Sequence, residues 1–384
     1  MAGSSRENNA RLRVTRLTNH VVGKKLVVRD ASDERSSGDT STSSTAGSGV
    51  RVVGRPRHDR VGSVVVVGGS VLDVHLTCDK VVPGSTVPGK VKFQHGGVGR
   101  NIVECLGRLG EKPLFVSAVG GDAAGREILG ALESLGVSTK GVKVCQGRTT
   151  PTVACSFDGS GNLTSGVADT ALVESELRGE WIMRFREDIK LADLLVLEAN
   201  LTHESLHTCF SIAREAKVPV FFEPVSVTKS LRVVPFLSDV SYFSPNEAEL
   251  KAVAAAAGES RRSFVSHEVA ADVAFLKSRG VQNILVTRGE AGVYSSSRDG
   301  ETRVLPSLKV PIVNVNGAGD CLVAGVLKAL VGSGKRSLEY AVSYGIAVAC
   351  AAIQTPANVP NISSEEEIDA NALQVFSTSA RVSS

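Results

Sequence analysis

The feature that most constrains the fold is an alternation of strand-like and helix-like patterns through residues 61–353. Short apolar runs, at 63–67, 114–119, 193–198 and 282–287, are separated by stretches with helical spacing of apolar residues. This alternation predicts right-handed βαβ units around a largely parallel sheet. With 384 residues, 42% of them hydrophobic, the chain suits one large α/β domain or two smaller ones.

Charge is spread unevenly along the chain. Residues 1–60 contain 12 Lys or Arg and 6 Asp or Glu, and the whole chain has a net charge of +3, so residues 61–384 carry about −3. A mildly acidic body argues against a nucleic-acid polymer as partner. We also expect no membrane span, because charge interrupts every long apolar run. The seven cysteines are scattered without C-x-x-C spacing, which indicates reduced thiols and neither a zinc site nor a disulfide framework.

Residues 1–60 differ in composition from the rest and are predicted to form a disordered or targeting segment. The stretch 33–49 is rich in Ser, Thr and Gly and has little to bury. The nonapeptide from Arg13 to Val21, with His20 before its last residue, resembles an amino-terminal peroxisomal signal, although Leu or Ala is usual where Val21 stands. A mitochondrial or plastid presequence and the solvated tail of a cytoplasmic protein are the alternatives. The folded body is predicted over 61–370, with a C-terminal tail over 371–384.

A glycine-rich loop precedes a helical pattern late in the chain. A strand-like run over 302–313 leads into Gly317-Ala318-Gly319-Asp320, and apolar residues with helical spacing follow. The first N–H groups of a helix have no partner within it, and small residues allow an anion to approach them. A carboxylate beside such a site, here Asp320, is better suited to accept a proton than to bind the anion. An ordinary capped helix start is the alternative.

Further polar residues follow predicted strands, where ligands bind in parallel sheets. Gly97 and Asn101 lie in a glycine-rich turn suited to a polyol, since a dinucleotide-binding loop would have glycine in place of Ile102. An ordinary helix start explains Asn101 as well, and a turn cap explains Asp73. One site could gather the residues at these strand ends, which are Asp73, Gly97, Asn101, Glu223, Asn246 and Asp320.

Asn246 and Glu249 lie three residues apart at a predicted helix start. A capping box explains this spacing without any chemistry. Binding of Mg²⁺ explains it equally well, because carboxylates and amides often hold a nucleotide's Mg²⁺ through water. The turn that contains Thr287, Gly289 and Gly292 follows a predicted strand and could face an adenine.

Taken together, these motifs resemble the ribokinase (PfkB) family of sugar and nucleoside kinases. The resemblance rests on Gly96-Gly-Val-Gly-Arg-Asn101, Ser244-Pro-Asn-x-x-Glu249, Thr287-Arg-Gly289 and Asn316-Gly-Ala-Gly-Asp320, in the family's order. Within the family the chain looks most like pseudouridine kinases, from the Gly-Arg-Asn101-Ile variant and the segments 148–152, 197–201 and 222–226. The resemblance implies a three-layer α/β/α fold with a mostly parallel central sheet and a small lid of β-strands at about 74–95 and 148–170. In relatives this lid also forms homodimers.

The resemblance also implies roles for individual residues. Asp320 would take the proton from the ribose 5′-hydroxyl of pseudouridine as that oxygen attacks the γ-phosphate of ATP. The N–H groups of Gly317, Ala318 and Gly319 would form the anion hole. The substrate would be held by Asp73, Gly97, Asn101 and Glu223, with Thr150 and Thr152 reaching the uracil. The residues implied at ATP and Mg²⁺ are Asn246, Glu249 (through water), Thr287, Gly289 and Gly292.

One departure concerns a monovalent cation. The family usually has Asp where this chain has Asn314, and that aspartate supports a potassium site. A neutral amide binds a cation more weakly than a carboxylate does, so potassium activation is in doubt. A ribokinase or another nucleoside kinase of the family, and a non-catalytic scaffold protein, are the alternative functions.

Overall fold

A computed structural model describes residues 62–79, 84–160, 162–258, 268–332, 336–362 and 364–382. The predicted targeting segment, including Arg13 to Val21, lies outside these residues. The strands are β1 Val64–Val67, β2 Val71–Thr77, β3 Lys90–Gly96, β4 Leu114–Gly120, β5 Ser138–Cys145, β6 Thr152–Phe157, β7 Leu163–Asp169, β8 Leu194–Glu198, β9 Val220–Glu223, β10 Tyr242–Phe243, β11 Asn283–Thr287, β12 Val293–Ser296, β13 Thr302–Leu305 and β14 Ala380–Arg381.

Helices connect most of these strands. They are α1 Val98–Arg108, α2 Ala123–Ser134, α3 Ala171–Glu176, α4 Gly179–Met183, α5 Arg186–Lys190, α6 His203–Ala216, α7 Val227–Ser230, α8 Glu247–Ala257, α9 Val269–Ser278, α10 Ala318–Val331, α11 Leu338–Ile353 and α12 Glu365–Thr378, with 3₁₀ segments at Leu231–Asp239 and Gly289–Ala291. In the described part of the chain, no helix has the length and apolar character needed to cross a membrane.

The central sheet has ten strands in the order β14-β13-β12-β11-β10-β9-β8-β1-β4-β5. The seven strands from β11 to β5 pair in parallel, and the other three add antiparallel ladders at one edge. The predicted mostly parallel sheet is therefore confirmed. Because β8, β9, β10 and β11 are neighbours, their carboxyl ends lie side by side at one edge of the sheet.

Helices cover both faces of this sheet, which gives the three predicted layers. Strand β1 shows how the sequence produces them: Val64 and Val66 belong to one apolar core, and Val65 and Val67 belong to the other. The first core packs against α1, α2, α10, α11 and α12, and the second packs against α3 to α6, α8 and α9. All four valines are fully buried, as expected for a strand covered on both faces.

A separate four-stranded sheet, in the order β3-β2-β6-β7, is the predicted small lid. Its register places Phe93, Val74, Ala154 and Val167 in one row across the sheet, and it places Asp73 beside Gln94 in the adjacent row. Directly opposed residues share a face and successive residues alternate, so Asp73 lies on one face and the apolar row on the other. We call the face that carries Phe93 and Val167 the outer lid face.

Two boundaries differ from those predicted. Residues 371–382 belong to the fold, because Ile368, Ala372 and Val375 are buried on one side of α12 and β14 then pairs with β13. Strand β13 ends at Leu305 and does not continue to residue 313, since Pro306 has no N–H to donate to a ladder. The chain then runs without regular structure to the glycine loop.

Candidate active site

The site centres on a hydrogen bond between the starts of two helices. Asn101, in the first turn of α1, donates from Nδ2 to Oδ2 of Asp320, in the first turn of α10, at 2.6 Å. The two residues are 219 positions apart in the sequence. The packing of α1 against α10 in the first core fixes this approach. The structure therefore brings together two of the four motifs that carried the family resemblance.

The surroundings of Asp320 suit a proton acceptor. Burial raises the pKa of Asp320 to about 6, and nearby Asp73 raises it too, while the Asn101 hydrogen bond and the Arg100 charge oppose this rise. A base with a pKa near the working pH is both mostly ionised and basic enough to take a proton. Perturbed carboxylates of this kind are typical of functional sites.

The glycine loop is held by tight backbone packing. Gly317 has φ 76°, in the left-handed region, and a Cβ added there would lie 2.2 Å from the carbonyl oxygen of Asn358. The N–H of Ala318 donates to the carbonyl of Val315 at 3.3 Å, so this predicted anion-hole donor takes part in a turn. An added Cβ at Gly319 would meet nothing within 4 Å, which leaves open space beside the helix start. These features fit a loop that admits an anion.

The predicted substrate residues Asp73 and Gly97 lie on the lid side of Asp320. Burial raises the pKa of Asp73, against the charges of His75 and Arg100 and a hydrogen bond from Asn358. Gly97 has φ 91°, and an added Cβ would lie 2.7 Å from the carbonyl of Gly69. The turn between β3 and α1 therefore requires glycine at this position.

The two threonines predicted at the uracil are placed less favourably. Thr150 is fully buried, and its hydroxyl donates to Asp122 at 2.5 Å and accepts from the N–H of Gly120 at 3.0 Å. Thr152 pairs with Leu72, whereas Val153 pairs with Asp73. Because side chains alternate along a strand, the structure does not bring Thr152 to the face of Asp73. Val153 occupies that face instead, and a substrate contact from Thr150 stays a prediction.

Carboxylates end the two adjacent strands β8 and β9, with Glu198 fully buried and Glu223 half-buried. Glu223 pairs in register with Glu198, and the hydroxyl of Ser244 donates to Glu223. Burial raises the pKa of Glu223 well above its ordinary value, and the negative charges of Asp320 and Glu249 raise it further. These charge interactions indicate that Glu223 lies near both Asp320 and the start of α8. It therefore stands between the sugar side and the nucleotide side of the site.

The predicted nucleotide residues gather at the ends of β10 and β11. Asn246 and Glu249 form a complete capping box, with both bonds at 2.9 Å, so the start of α8 accounts for their spacing. Asn246 also forms an isolated β-bridge with Thr287, which brings the motif around Asn246 next to the motif around Thr287. A short 3₁₀ turn beyond Thr287 begins at Gly289 and is followed by Gly292, with φ 56° and 81°.

A hard cation such as Mg²⁺ would need oxygen donors on the nucleotide side of the site. Among the described residues, no group of three or more His, Cys, Asp or Glu could hold a metal ion. Burial raises the pKa of Glu249 and also that of the nearby Glu223, and a bound cation would favour the ionised form of both. Mg²⁺ that keeps several waters and is bound mainly by phosphates needs only one or two carboxylates, and these two provide them. The residues present therefore fit a hydrated Mg²⁺ ion.

Sequence reasoning missed three residues of the site. Arg100 is buried beside Asn101, Asn358 contacts the lid and the glycine loop, and Glu198 accepts a hydrogen bond from the N–H of Gly69 at 2.7 Å. Glu198 had one visible signal, since it is an acidic residue at the end of the apolar run Leu194–Leu197. For Asn358 the sequence offers no such signal, because its partner His95 is 263 positions away.

Comparison with known proteins agrees with this geometry. The family model of pfkB carbohydrate kinases matches residues 61–363. A pseudouridine kinase of Arabidopsis thaliana is 31% identical over 77% of this chain and 92% of its own, and one of Escherichia coli K12 is 30% identical over 68% and 82%. The structure of an Arabidopsis thaliana ribokinase complexed with ribose and ATP matches with a TM-score of 0.66 at 20% identity, over 83% of this chain and 99% of that one. The chain belongs to the pfkB family of carbohydrate kinases.

Proposed function

We propose that this protein transfers the γ-phosphoryl group of ATP to the 5′-hydroxyl of pseudouridine, giving pseudouridine 5′-phosphate and ADP. The observation that carries the reaction is the Asn101–Asp320 contact, which presents a carboxylate with a pKa of about 6 beside a glycine-rich helix start. The substrate is supported by the two pseudouridine kinases at about 30% identity, and ATP by the ribokinase complex.

The chemistry follows from the positions of these groups. Asp320 accepts the proton of the 5′-hydroxyl as its oxygen attacks the γ-phosphorus, and the bond to the β,γ-bridging oxygen breaks as ADP leaves. N–H groups at the start of α10, at Gly317 and Gly319, stabilise the charge on the transferred group, and that of Ala318 joins them only by giving up its 3.3 Å hydrogen bond to the Val315 carbonyl. Phosphoryl transfer depends mainly on such positioning and charge stabilisation. Asp73 and the Gly97 turn hold the ribose hydroxyls on the lid side.

On the nucleotide side, Asn246, Thr287 and the Gly289–Gly292 turn border ATP, and Glu249 with Glu223 would hold the waters of Mg²⁺. Bound Mg²⁺ supplies charge neutralisation on the β- and γ-phosphates. Asn314 accepts a hydrogen bond from the N–H of Asn316 at 3.0 Å, and weak potassium activation stays a prediction.

A second copy of the chain is the partner we propose for the outer lid face. Three of its apolar side chains are strongly exposed: Val91 at 59%, Phe93 at 64% and Val167 at 71%. The register continues this row through Val74 and Ala154, so the apolar surface crosses all four strands. A contiguous apolar surface of this kind typically marks an interaction site.

The substrate is tested by ADP release from purified protein offered pseudouridine, uridine, adenosine and ribose in parallel. Turnover of pseudouridine above the others supports the proposal. Preference for ribose or adenosine would leave the kinase chemistry in place and contradict the substrate. Absence of turnover with all four would favour a non-catalytic scaffold.

A further inference from the structure

Arg100 is one of the most completely buried charges in the described part of the chain. Its side chain is 2% exposed, and it lies in the first turn of α1 directly before Asn101. Burial of an ionised group is costly unless the group is paired and hydrogen-bonded. A charge kept at this position therefore points to a task that an apolar residue cannot perform.

The guanidinium is held on several sides. Nε donates to the carbonyl of Gly96 at 3.0 Å, and Nη2 donates to the carbonyl of His95 at 2.7 Å. Nη1 forms an ion pair with Glu104, which also pairs with Arg108 at 2.8 Å. The planar fork is thus fixed between the end of lid strand β3 and the body of α1.

The remaining contact of this fork determines the orientation of the Asn101 amide. Nη2 of Arg100 also donates to Oδ1 of Asn101, and Nδ2 of Asn101 donates to Oδ2 of Asp320 at 2.6 Å. An asparagine amide has one acceptor and one donor end. If the amide rotated by half a turn, its donor would face the guanidinium and its oxygen would face the carboxylate. Arg100 therefore makes only one of the two orientations favourable.

We propose that Arg100 is a positioning residue for Asp320, acting through the amide of Asn101. This role rests on the proposed function of Asp320 as base, and it adds a residue to that site. Because the same guanidinium binds the His95 and Gly96 carbonyls, the lid strand and the carboxylate are held by one rigid group. The geometry also places a fixed positive charge near the carboxylate.

Charge around Asp320 gives the role a measurable signature. The groups that face it are Arg100, Asp73 and Glu223, of which Arg100 is the cation. Without the guanidinium, the two acidic neighbours would act unopposed, and the Asn101 donor would no longer be fixed. Both changes disfavour the carboxylate, so Asp320 should bind its proton more tightly.

The first test needs no substrate. Carboxyl ¹³C resonances of labelled aspartate are followed with pH in the wild type, in Arg100→Met and in Arg108→Met, with Asp320→Asn assigning the signal. Arg108→Met is the matched control, because it removes the other partner of Glu104 from the same helix. We expect the Asp320 midpoint to move to higher pH in Arg100→Met only. An unchanged midpoint in folded Arg100→Met would overturn the proposal, whichever substrate the enzyme uses.

The second test uses kinetics with whichever acceptor the wild type phosphorylates best. Arg100→Lys keeps the charge and loses the fork, so it covers the case in which Arg100→Met fails to fold. We expect kcat to fall about tenfold, which is part of the roughly 10²–10⁴ that a positioned acid–base group contributes, with a smaller change in KM. In an Asn101→Ala background, Arg100→Lys should have little further effect, because the two residues act as one unit. Additive losses in the double variant would contradict action through Asn101.

Discussion

Asn101 and Asp320 lie 219 residues apart, and the Nδ2 of the first donates to the Oδ2 of the second at 2.6 Å. Each residue stands in the first turn of a helix, on α1 and α10, and the N-cap of each helix is a glycine with positive φ. The contact joins the sugar side of the site to the glycine loop. It also gives the candidate base a donor that favours its ionised form.

Replacement of the base isolates its chemical contribution. Asp320→Asn keeps the size of the side chain and removes its ability to accept a proton. We expect kcat to fall by about 10²–10⁴, with little change in nucleotide binding. The matched control is Asp299→Asn, at an exposed aspartate in the turn between β12 and β13. A loss of less than tenfold in Asp320→Asn would show that another group accepts the proton.

Activity should depend on pH through the same carboxyl group. Burial raises the pKa of Asp320 to about 6, and only the ionised form can accept a proton. We therefore expect kcat/KM to rise as pH increases through about 6 and then to level off. Rates measured from pH 4.5 to 8.5 with saturating Mg²⁺ check this. A profile that falls with rising pH over this interval would be incompatible with a carboxylate base.

The glycine loop should tolerate one substitution and not another. Gly317→Ala places a Cβ 2.2 Å from the Asn358 carbonyl at φ 76°, whereas Gly319→Ala places one in open space. The left-handed backbone alone costs a non-glycine residue about 1–2 kcal/mol. We expect urea unfolding to show a loss of at least this size for Gly317→Ala and almost none for Gly319→Ala. Equal stability of the two variants would mean that the loop relaxes away from Asn358.

The stability of the protein should fall as Glu198 loses its proton. Burial raises the pKa of Glu198 from its ordinary value of 4.5 to about 7. A carboxyl with a raised pKa in the folded state stabilises that state below the unfolded pKa, and this contribution is lost as pH rises through the folded value. Glu198→Gln stays neutral, so we expect its free energy of unfolding to change less than that of the wild type between pH 4.5 and 7.5. Parallel curves would indicate that Glu198 is ionised throughout.

Association through the lid gives a further prediction. Phe93→Asp and Val167→Asp place charge on the outer lid face, while Leu191→Asp alters an exposed leucine at the end of α5, outside the lid sheet. We expect sedimentation velocity to show a dimer for the wild type and for Leu191→Asp, and a monomer for the two lid variants. A monomeric wild type at micromolar concentration would contradict the proposed partner.

The sequence predicts the helices and strands that have strong apolar patterns. It predicts less well those elements whose structure depends on tertiary contacts. The fully buried run Val64–Val67 and the helix from Ala318 could be predicted, because apolar spacing and glycine placement specify them locally. Strand β5 was missed: its mixed sequence, Ser138 to Cys145, becomes a strand through pairing with β4. Helix α12 was not predicted, and the folded body was ended at residue 370, because the acidic first turn and polar face of α12 leave only a narrow apolar stripe.

The same division holds in the site. Asp320 and Asn101 were identifiable because they follow glycines at the starts of helices, where functional groups are commonly exposed. Arg100 was not, because a lone arginine on a helix is usually solvated, and its meaning depends on complete burial. The predicted position of Thr152 at the substrate also failed, because side chains alternate along a strand and Thr152 is on the face opposite Asp73. The register of the lid strands, which decides this, could not be predicted from composition.

The measurement that tests the central claim most directly is the position of the phosphate on the product. After incubation with ATP, Mg²⁺ and pseudouridine, ¹H–³¹P correlation NMR identifies which carbon bears the phosphoryl group. We predict coupling of the phosphorus to the two 5′ protons, with equimolar ADP, and no such signal with Asp320→Asn. Phosphorylation at another hydroxyl, or an equal yield from the variant, would contradict the account of Asp320 as the base for the 5′-hydroxyl.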